Sequence, residues 1–362
     1  MTPSAKKRVL LVDDAVVVRK TLSSAIAQDP DLEVCATAVN GRMGLTKFLA
    51  LKPDLVLLDI EMPEMDGLET VRELRKIDTR VPIIMFSSLT ARSAAVTLEA
   101  LALGATDCVT KPSCADRSSA LVAVTGELIP KIRALCRLPG GPPGSPLAPT
   151  PSPPRLHVVR PARLWPPAKV VAIGVSTGGP DALAQVLPSL PGKFCVPVVI
   201  AQHMPAVFTA MLAARLSAKS ALPVRECVSG EPLSPGCAVI APGDYHLIVQ
   251  QQNGVTCLKT HQGPKENFCR PSVDVLFRSV AAVYGDRALA VVLTGMGQDG
   301  LKGCEVLRKA GARIYVQDEA SSVVWGMPGF VARTGLADKI LPLNQIGAEI
   351  VRATSIQAAA PV

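Results

Sequence analysis

Short runs of Val, Ile and Leu recur along both halves of the chain. Each ends in a small or acidic residue and gives way to a stretch whose apolar positions fall three and four apart. In the first half the runs Val9–Val12, Val34–Thr37, Asp54–Asp59, Pro82–Ser88 and Cys108–Thr110 predict buried strands. Helices are expected over Val16–Gln28, Gly41–Leu51, Gly67–Ile77, Ala91–Leu103 and a last segment ending near Cys136. Leu68, Val71 and Leu74 share a face of the third, and Gly104 closes the fourth. Five such strand–helix units predict a doubly wound parallel sheet.

The rhythm stops between Arg137 and Lys169. Eleven of the 32 prolines fall in these 33 residues, a composition that favours extended linkers and builds no core. Beyond it the alternation resumes. Strands are expected at Val170–Val175, Val196–Ala201, Val224–Val228, Ala238–Ala241, His246–Gln250, Val255–Thr260, Leu289–Leu293 and Ala312–Val316. Helices are expected at Gly179–Leu187, Ala206–Ala218, Ser272–Tyr284, Gly300–Ala310, Val323–Ala332 and Gln345–Ala353. The short strands from Val224 to Thr260 read as a meander, and the rest as a three-layer α/β domain with a mostly parallel sheet. The expected organisation is a domain over 1–136, a linker over 137–168 and a second domain over 169–362.

Composition narrows the function classes. Hydrophobic residues make up 48% but aromatics only 3%, so the cores are Ala/Val/Leu-packed and little is available to stack on bases. Of the net charge of +8, five charges sit in the linker, and no basic reading helix stands out, which argues against nucleic acid. Ten scattered cysteines without a C-x-x-C pair read as reduced thiols of a cytoplasmic protein and argue against a metal–thiolate site. Lys6-Lys7-Arg8 precedes only four apolar residues, and no apolar run approaches membrane-spanning length.

Chemistry-bearing residues collect after strands. Asp13 and Asp14 follow the first strand, Asp59 ends the third, and Ser87 and Lys111 follow the fourth and fifth. In an open α/β sheet these ends share a crevice, where crowded carboxylates call for a cation such as Mg²⁺. Residues 8–130 resemble a response-regulator receiver domain through Val12-Asp13-Asp14, Leu58–Gly67, Ser87 and Lys111-Pro112. The resemblance implies a flavodoxin-like fold in which Asp59 accepts a phosphoryl group from a histidine kinase. It further implies that Asp13, Asp14, Asp59 and the carbonyl of Glu61 hold Mg²⁺, that Lys111 balances charge, and that Ser87 senses the phosphoryl group.

In the second half Ser176 follows the strand Val170–Val175, inside a Gly174–Gly179 turn that leads into a helix. Such a serine is either a helix cap or a nucleophile presented beyond a strand. His203 and Asp299 follow two other strands, so a parallel sheet would bring serine, imidazole and carboxylate to one edge. Gly174–Gly179, Gln202–Pro205, Arg270–Phe277 and Leu293–Gly300 resemble the chemotaxis protein-glutamate methylesterases. That resemblance implies hydrolysis of γ-glutamyl methyl esters on methyl-accepting chemoreceptors, and deamidation of their glutamines, with no cofactor for the ester reaction. Ser176, His203 and Asp299 would then form the triad. The N–H groups of Thr177, Gly178 and Met296 would form the oxyanion hole, each donor contributing roughly 2.7–4 kcal/mol. Arg270 is either a receptor contact or an ordinary surface arginine. Lys265-Glu266-Asn267-Phe268-Cys269 departs from the family's usual small, polar stretch, which bears on substrate preference rather than chemistry. Alternatives are an esterase serving a related receptor-like pathway, and a regulator whose output is binding. The expected regulation is inhibition by the unphosphorylated receiver, relieved at Asp59.

Overall fold

The computed structural model describes residues 5–111, 117–138 and 165–355, with backbone alone for 117–124. Pro112 and most of the expected linker, His157 included, lie outside the described residues. The chain forms two compact units, Met1–Pro149 and Thr150–Val362.

The first unit carries β1 (Lys7–Val12), β2 (Leu32–Ala38), β3 (Leu55–Asp59), β4 (Ile83–Ser87) and β5 (Asp107–Thr110) in one parallel sheet, in the order β2-β1-β3-β4-β5. The helices are α1 (Val16–Ile26), α2 (Gly41–Leu51), α3 (Gly67–Ile77), α4 (Ala91–Ala102) and α5 (Arg117–Leu135). Asn40, Asp66 and Thr90 cap α2, α3 and α4 by accepting from Met43, Glu69 and Ser93 N–H groups. Val9, Leu11, Leu57, Ile84 and Phe86 of the sheet bury against Leu22 and Ile26 of α1 and Leu128 and Ile132 of α5. Strand order reverses between β1 and β3. Val12 pairs with Leu58, so Asp13 and Asp59 meet one step further on.

The second unit runs β6 (Val170–Val175), α6 (Gly179–Val186), β7 (Val198–Gln202), α7 (Ala206–Lys219), β8 (Val224–Glu226), β9 (Ala238–Ile240), β10 (His246–Gln252), β11 (Val255–His261), α8 (Val273–Tyr284), β12 (Ala288–Val292), α9 (Leu301–Lys309), β13 (Arg313–Gln317), α10 (Met327–Arg333), β14 (Lys339–Leu341) and α11 (Leu343–Thr354). Seven strands form a sheet in the order β14-β13-β12-β6-β7-β9-β8, every pair parallel. Every residue of β6 is buried, as expected of a strand covered on both faces. Val170, Ala172, Val199 and Ala201 pack toward Leu276, Phe277 and Val280 of α8 and Leu307 of α9. Val171, Ile173, Val198 and Ile200 alternate to the other face. The strand order reverses at β6, with β12 on one side and β7 on the other, and this opens a crevice at their carboxyl ends.

Three expectations need correction. The meander resolves into two parts: β8 and β9 join the main sheet in parallel, reached through α7, while β10 and β11 form a separate antiparallel hairpin. The helix expected from Val323 begins at Met327, because Val324 and Trp325 pair with Gly295 instead. The edge strand β14 has only three residues, too few to show a period. At the margins of the expected linker, Leu138 packs on the first core. On the other side Arg313 donates to the Pro166 carbonyl and Ala168 N–H to the Ala353 carbonyl.

Candidate active site and receiver pocket

In the first unit the acidic strand ends converge. Carboxylate oxygens of Asp13, Asp14 and Asp59 lie within 4.8 Å of one another. Lys111 Nζ stands 2.7 Å from Asp59 Oδ2 and 3.1 Å from Asp13 Oδ2. Asp13 is buried, with the Lys111 ammonium as the cation beside its Oδ2. Burial pushes the Asp59 carboxyl up to about 6, with Asp13 adding to the rise and Lys111 opposing it. Ser87 Oγ accepts from Thr97 Oγ1 at 2.9 Å, and Ser87 O accepts from Lys111 N at 2.7 Å. Glu61, two residues past Asp59, accepts from Ser93 Oγ at 3.4 Å. Three converging carboxylates, two of them buried, are a donor set suited to a hard divalent cation.

In the second unit Ser176 is the first residue past β6. Its N–H donates to Thr294 O, and its own carbonyl accepts from Gly179 N and Gln202 Nε2. The turn requires glycine at two places. Gly178 has φ +76°, and a Cβ on Gly295 would stand 2.8 Å from Ser176 Cβ and 2.5 Å from Met327 Sδ. Gly295 also accepts from Met327 N and pairs with Trp325, whose indole N–H donates to Gln317 O. Among the described residues the N–H groups of Gly178 and Met296 donate to no protein acceptor. Thr177 is buried, and its carbonyl accepts from Thr294 Oγ1.

Register brings His203 beside this turn. Val175 pairs with Gln202, and His203 N–H donates to Val175 O at 3.1 Å. His203 Nε2 lies 2.8 Å from Asp299 Oδ2. Asp299 is 2% exposed and sits at the start of α8, where it accepts from Val273 N, Asp274 N and Ser272 Oγ, and also from Asn267 Nδ2 and Gly300 N. Burial opposes its charge, but the His203 contact and these donors draw it down to about 2. Burial likewise opposes the imidazolium, yet Cys269 and Asp299 together hold His203 above its ordinary range. Burial and the charge of Asp299 push neighbouring Asp274 up to about 6.

Of the three residues singled out in the sequence, His203 and Asp299 are joined by a hydrogen bond, while among the described residues Ser176 Oγ makes none to His203; sequence reasoning did not find Asn267 and Cys269, which flank the pair. Asn267 bridges Asp274 Oδ2 and Asp299 Oδ1 at 2.9 Å each, and Cys269 Sγ lies 3.5 Å from His203 Nδ1. The unusual Lys265–Cys269 stretch was the available signal. Arg270 is engaged by Asp244 Oδ1, at 2.6 and 3.0 Å, and by the carbonyls of Gln262 and Gly263.

Residues 171–350 match the CheB methylesterase family, and residues 9–123 match the response regulator receiver domain. A protein-glutamate methylesterase/protein-glutamine glutaminase of Trichodesmium erythraeum is 47% identical over 348 residues, covering 96% of this chain and 99% of that protein. The chain belongs to this methylesterase/glutaminase family. A relative of the same name from a Nocardioides species is 49% identical over 352 residues, covering 95% of this chain and 94% of its own. The catalytic domain of the Thermotoga maritima CheB methylesterase, known from its crystal structure, is 42% identical. It aligns with 51% of this chain and 98% of its own at a TM-score of 0.50. Among the described residues no helix is long and apolar enough to cross a membrane.

Proposed function

We propose that the chain removes methyl groups from γ-glutamyl methyl esters of methyl-accepting chemoreceptors in the cytoplasm, releasing methanol, and deamidates receptor glutamines. The reading rests on His203, seated one residue past the strand beside β6 and 2.8 Å from a buried carboxylate. In the neutral imidazole the acceptor-only Asp299 keeps the proton on Nε2, and it is this form whose Nδ1 lone pair takes the Ser176 proton. Ser176 Oγ then bonds the ester carbon, and His203 returns the proton to the departing methoxide. Water repeats the sequence, regenerating Ser176 and releasing glutamate. Asp299 stabilises the imidazolium formed each time. The N–H groups of Gly178 and Met296, with Thr177 beside them, are the donors for the oxyanion. Arg270 braces the loop carrying Cys269 through Asp244.

Asp59 is the phosphoryl acceptor, supplied by a histidine kinase. Asp13, Asp14, Asp59 and the Glu61 carbonyl would hold Mg²⁺, which neutralises phosphoryl charge when bound. Lys111 pairs with the acceptor, and Ser87 stands on β4 to meet the new oxygen atoms. Phosphorylation relieves inhibition by the receiver. Methanol release from methylated receptor membranes tests the reading. It should be abolished by Ser176→Ala and stimulated by a small phosphodonor. Unchanged release in Ser176→Ala removes the nucleophile assignment.

A further inference from the structure

Nδ1 of His203 has a neighbour that the ester reaction does not use. Cys269 Sγ lies 3.5 Å from it. The thiol is held there by its backbone: Cys269 N donates to Glu266 O at 2.8 Å and Glu266 N to Cys269 O at 3.2 Å. The two residues between, Asn267 and Phe268, take left-handed φ values of 50° and 63°. Asn267 is anchored to Asp299, the same carboxylate that grips the opposite side of the His203 ring. One carboxylate therefore fixes both the imidazole and the turn that presents the sulfur.

Nitrogen, sulfur and oxygen atoms of His203, Cys269 and Asp299 all fall within 4.8 Å of one another. Zn–N bonds of about 2.0–2.1 Å and a Zn–S bond of about 2.3 Å, at a tetrahedral angle, set N and S roughly 3.5 Å apart. That is the separation of Nδ1 and Sγ. In the neutral ring, with the Nε2 proton toward Asp299, the Nδ1 lone pair faces Cys269 Sγ, the carboxylate–histidine arrangement that orients imidazole ligands on zinc. The sequence argued against a metal–thiolate site because no cysteines stand at zinc-site spacing; these two ligands are 66 residues apart.

We propose that His203 Nδ1 and Cys269 Sγ bind a soft divalent cation of the zinc class, oriented by Asp299, and that the bound cation switches the hydrolase off. Binding forms one metal–nitrogen and one metal–sulfur bond and sends the thiol proton to solvent, leaving open metal positions for water. Inhibition follows because the metal occupies the lone pair that takes the Ser176 proton. This second clause rests on the hydrolase reading above; the site itself does not.

The test uses the full chain, stripped with a chelator and titrated with Co²⁺ in the absence of substrate. The expected result is a thiolate-to-cobalt charge-transfer band that Zn²⁺ displaces, and that is absent in Cys269→Ser and Cys269→Ala. No band in the unsubstituted chain, or a band that persists in both variants, overturns the site. Methanol release is then measured against added Zn²⁺. The half-inhibiting concentration, relative to each protein's own zinc-free rate, should rise at least tenfold in Cys269→Ser. An unchanged concentration overturns the switch. Failure of the zinc-free chain to release methanol even with a small phosphodonor, with the cobalt band intact, would instead refute the hydrolase reading and leave the metal site standing.

Discussion

Asp299 accepts from five protein donors and still faces His203, so one buried carboxylate serves both the imidazole and the start of α8. Replacing it by Asn keeps the shape but loses the acceptor-only character, so His203 can take the wrong tautomer. Asp299→Asn should lower kcat on the order of 10⁴-fold, read as initial methanol release. The depressed carboxyl also stabilises the fold. Its contribution is full above the ordinary carboxylate range near 3.8 and is lost as pH falls through about 2. Asn267→Ala removes a bridge between two buried carboxyl groups and should cost about 2 kcal/mol in urea unfolding, within the range for hydrogen bonds to charged groups. Asp59 has the opposite sign. Its carboxyl is raised to about 6, so labelling by a small phosphodonor should fall as pH drops through that value, because a protonated carboxyl is a poor nucleophile. Intact-mass spectrometry across pH 5–8 checks it, with Mg²⁺ expected to move the midpoint downward.

At the scale of elements, the loop after β12 is shaped by what cannot be there. A methyl group on Gly295 would press on Ser176 and on Met327, the first residue of α10. Gly295→Ala should therefore lower kcat while KM changes little, since the proposed nucleophile and not the docking surface is displaced. Steady-state kinetics on a soluble methyl ester decides between the two. The elements that present chemistry were legible because each polar cluster follows a run of buried β-branched residues. α2, α3 and β6 coincide with their expected ranges for that reason. The supports of the site were not legible. Asn267, Ser272 and the α8 N–H groups reach Asp299 across 25 to 32 residues, and capping of one helix by a loop from another leaves no periodic trace. β8 and β9 were misread for a related reason. A three-residue strand carries no direction, and only the crossover through α7 makes the pair parallel to the main sheet.

For the whole molecule, the receiver pocket and the ester site lie in separate compact units of one chain, so their coupling is a matter of equilibrium between domain states. Residues 165–362 alone should release methanol faster than the unphosphorylated full chain, and Asp59→Asn should hold the full chain at its unstimulated rate whatever the phosphodonor. Equal rates for the fragment and the unphosphorylated chain would contradict inhibition by the receiver.

The strand-like pairing of Trp325 with Gly295 has an optical consequence. Both tryptophans, Trp165 and Trp325, and all three tyrosines lie beyond residue 164, while the receiver half has only phenylalanine for aromatic side chains. Indole emission thus follows the hydrolase half alone. One of its two chromophores, Trp325, belongs to the segment paired with Gly295 beside Ser176, so a native dye is already installed next to the serine.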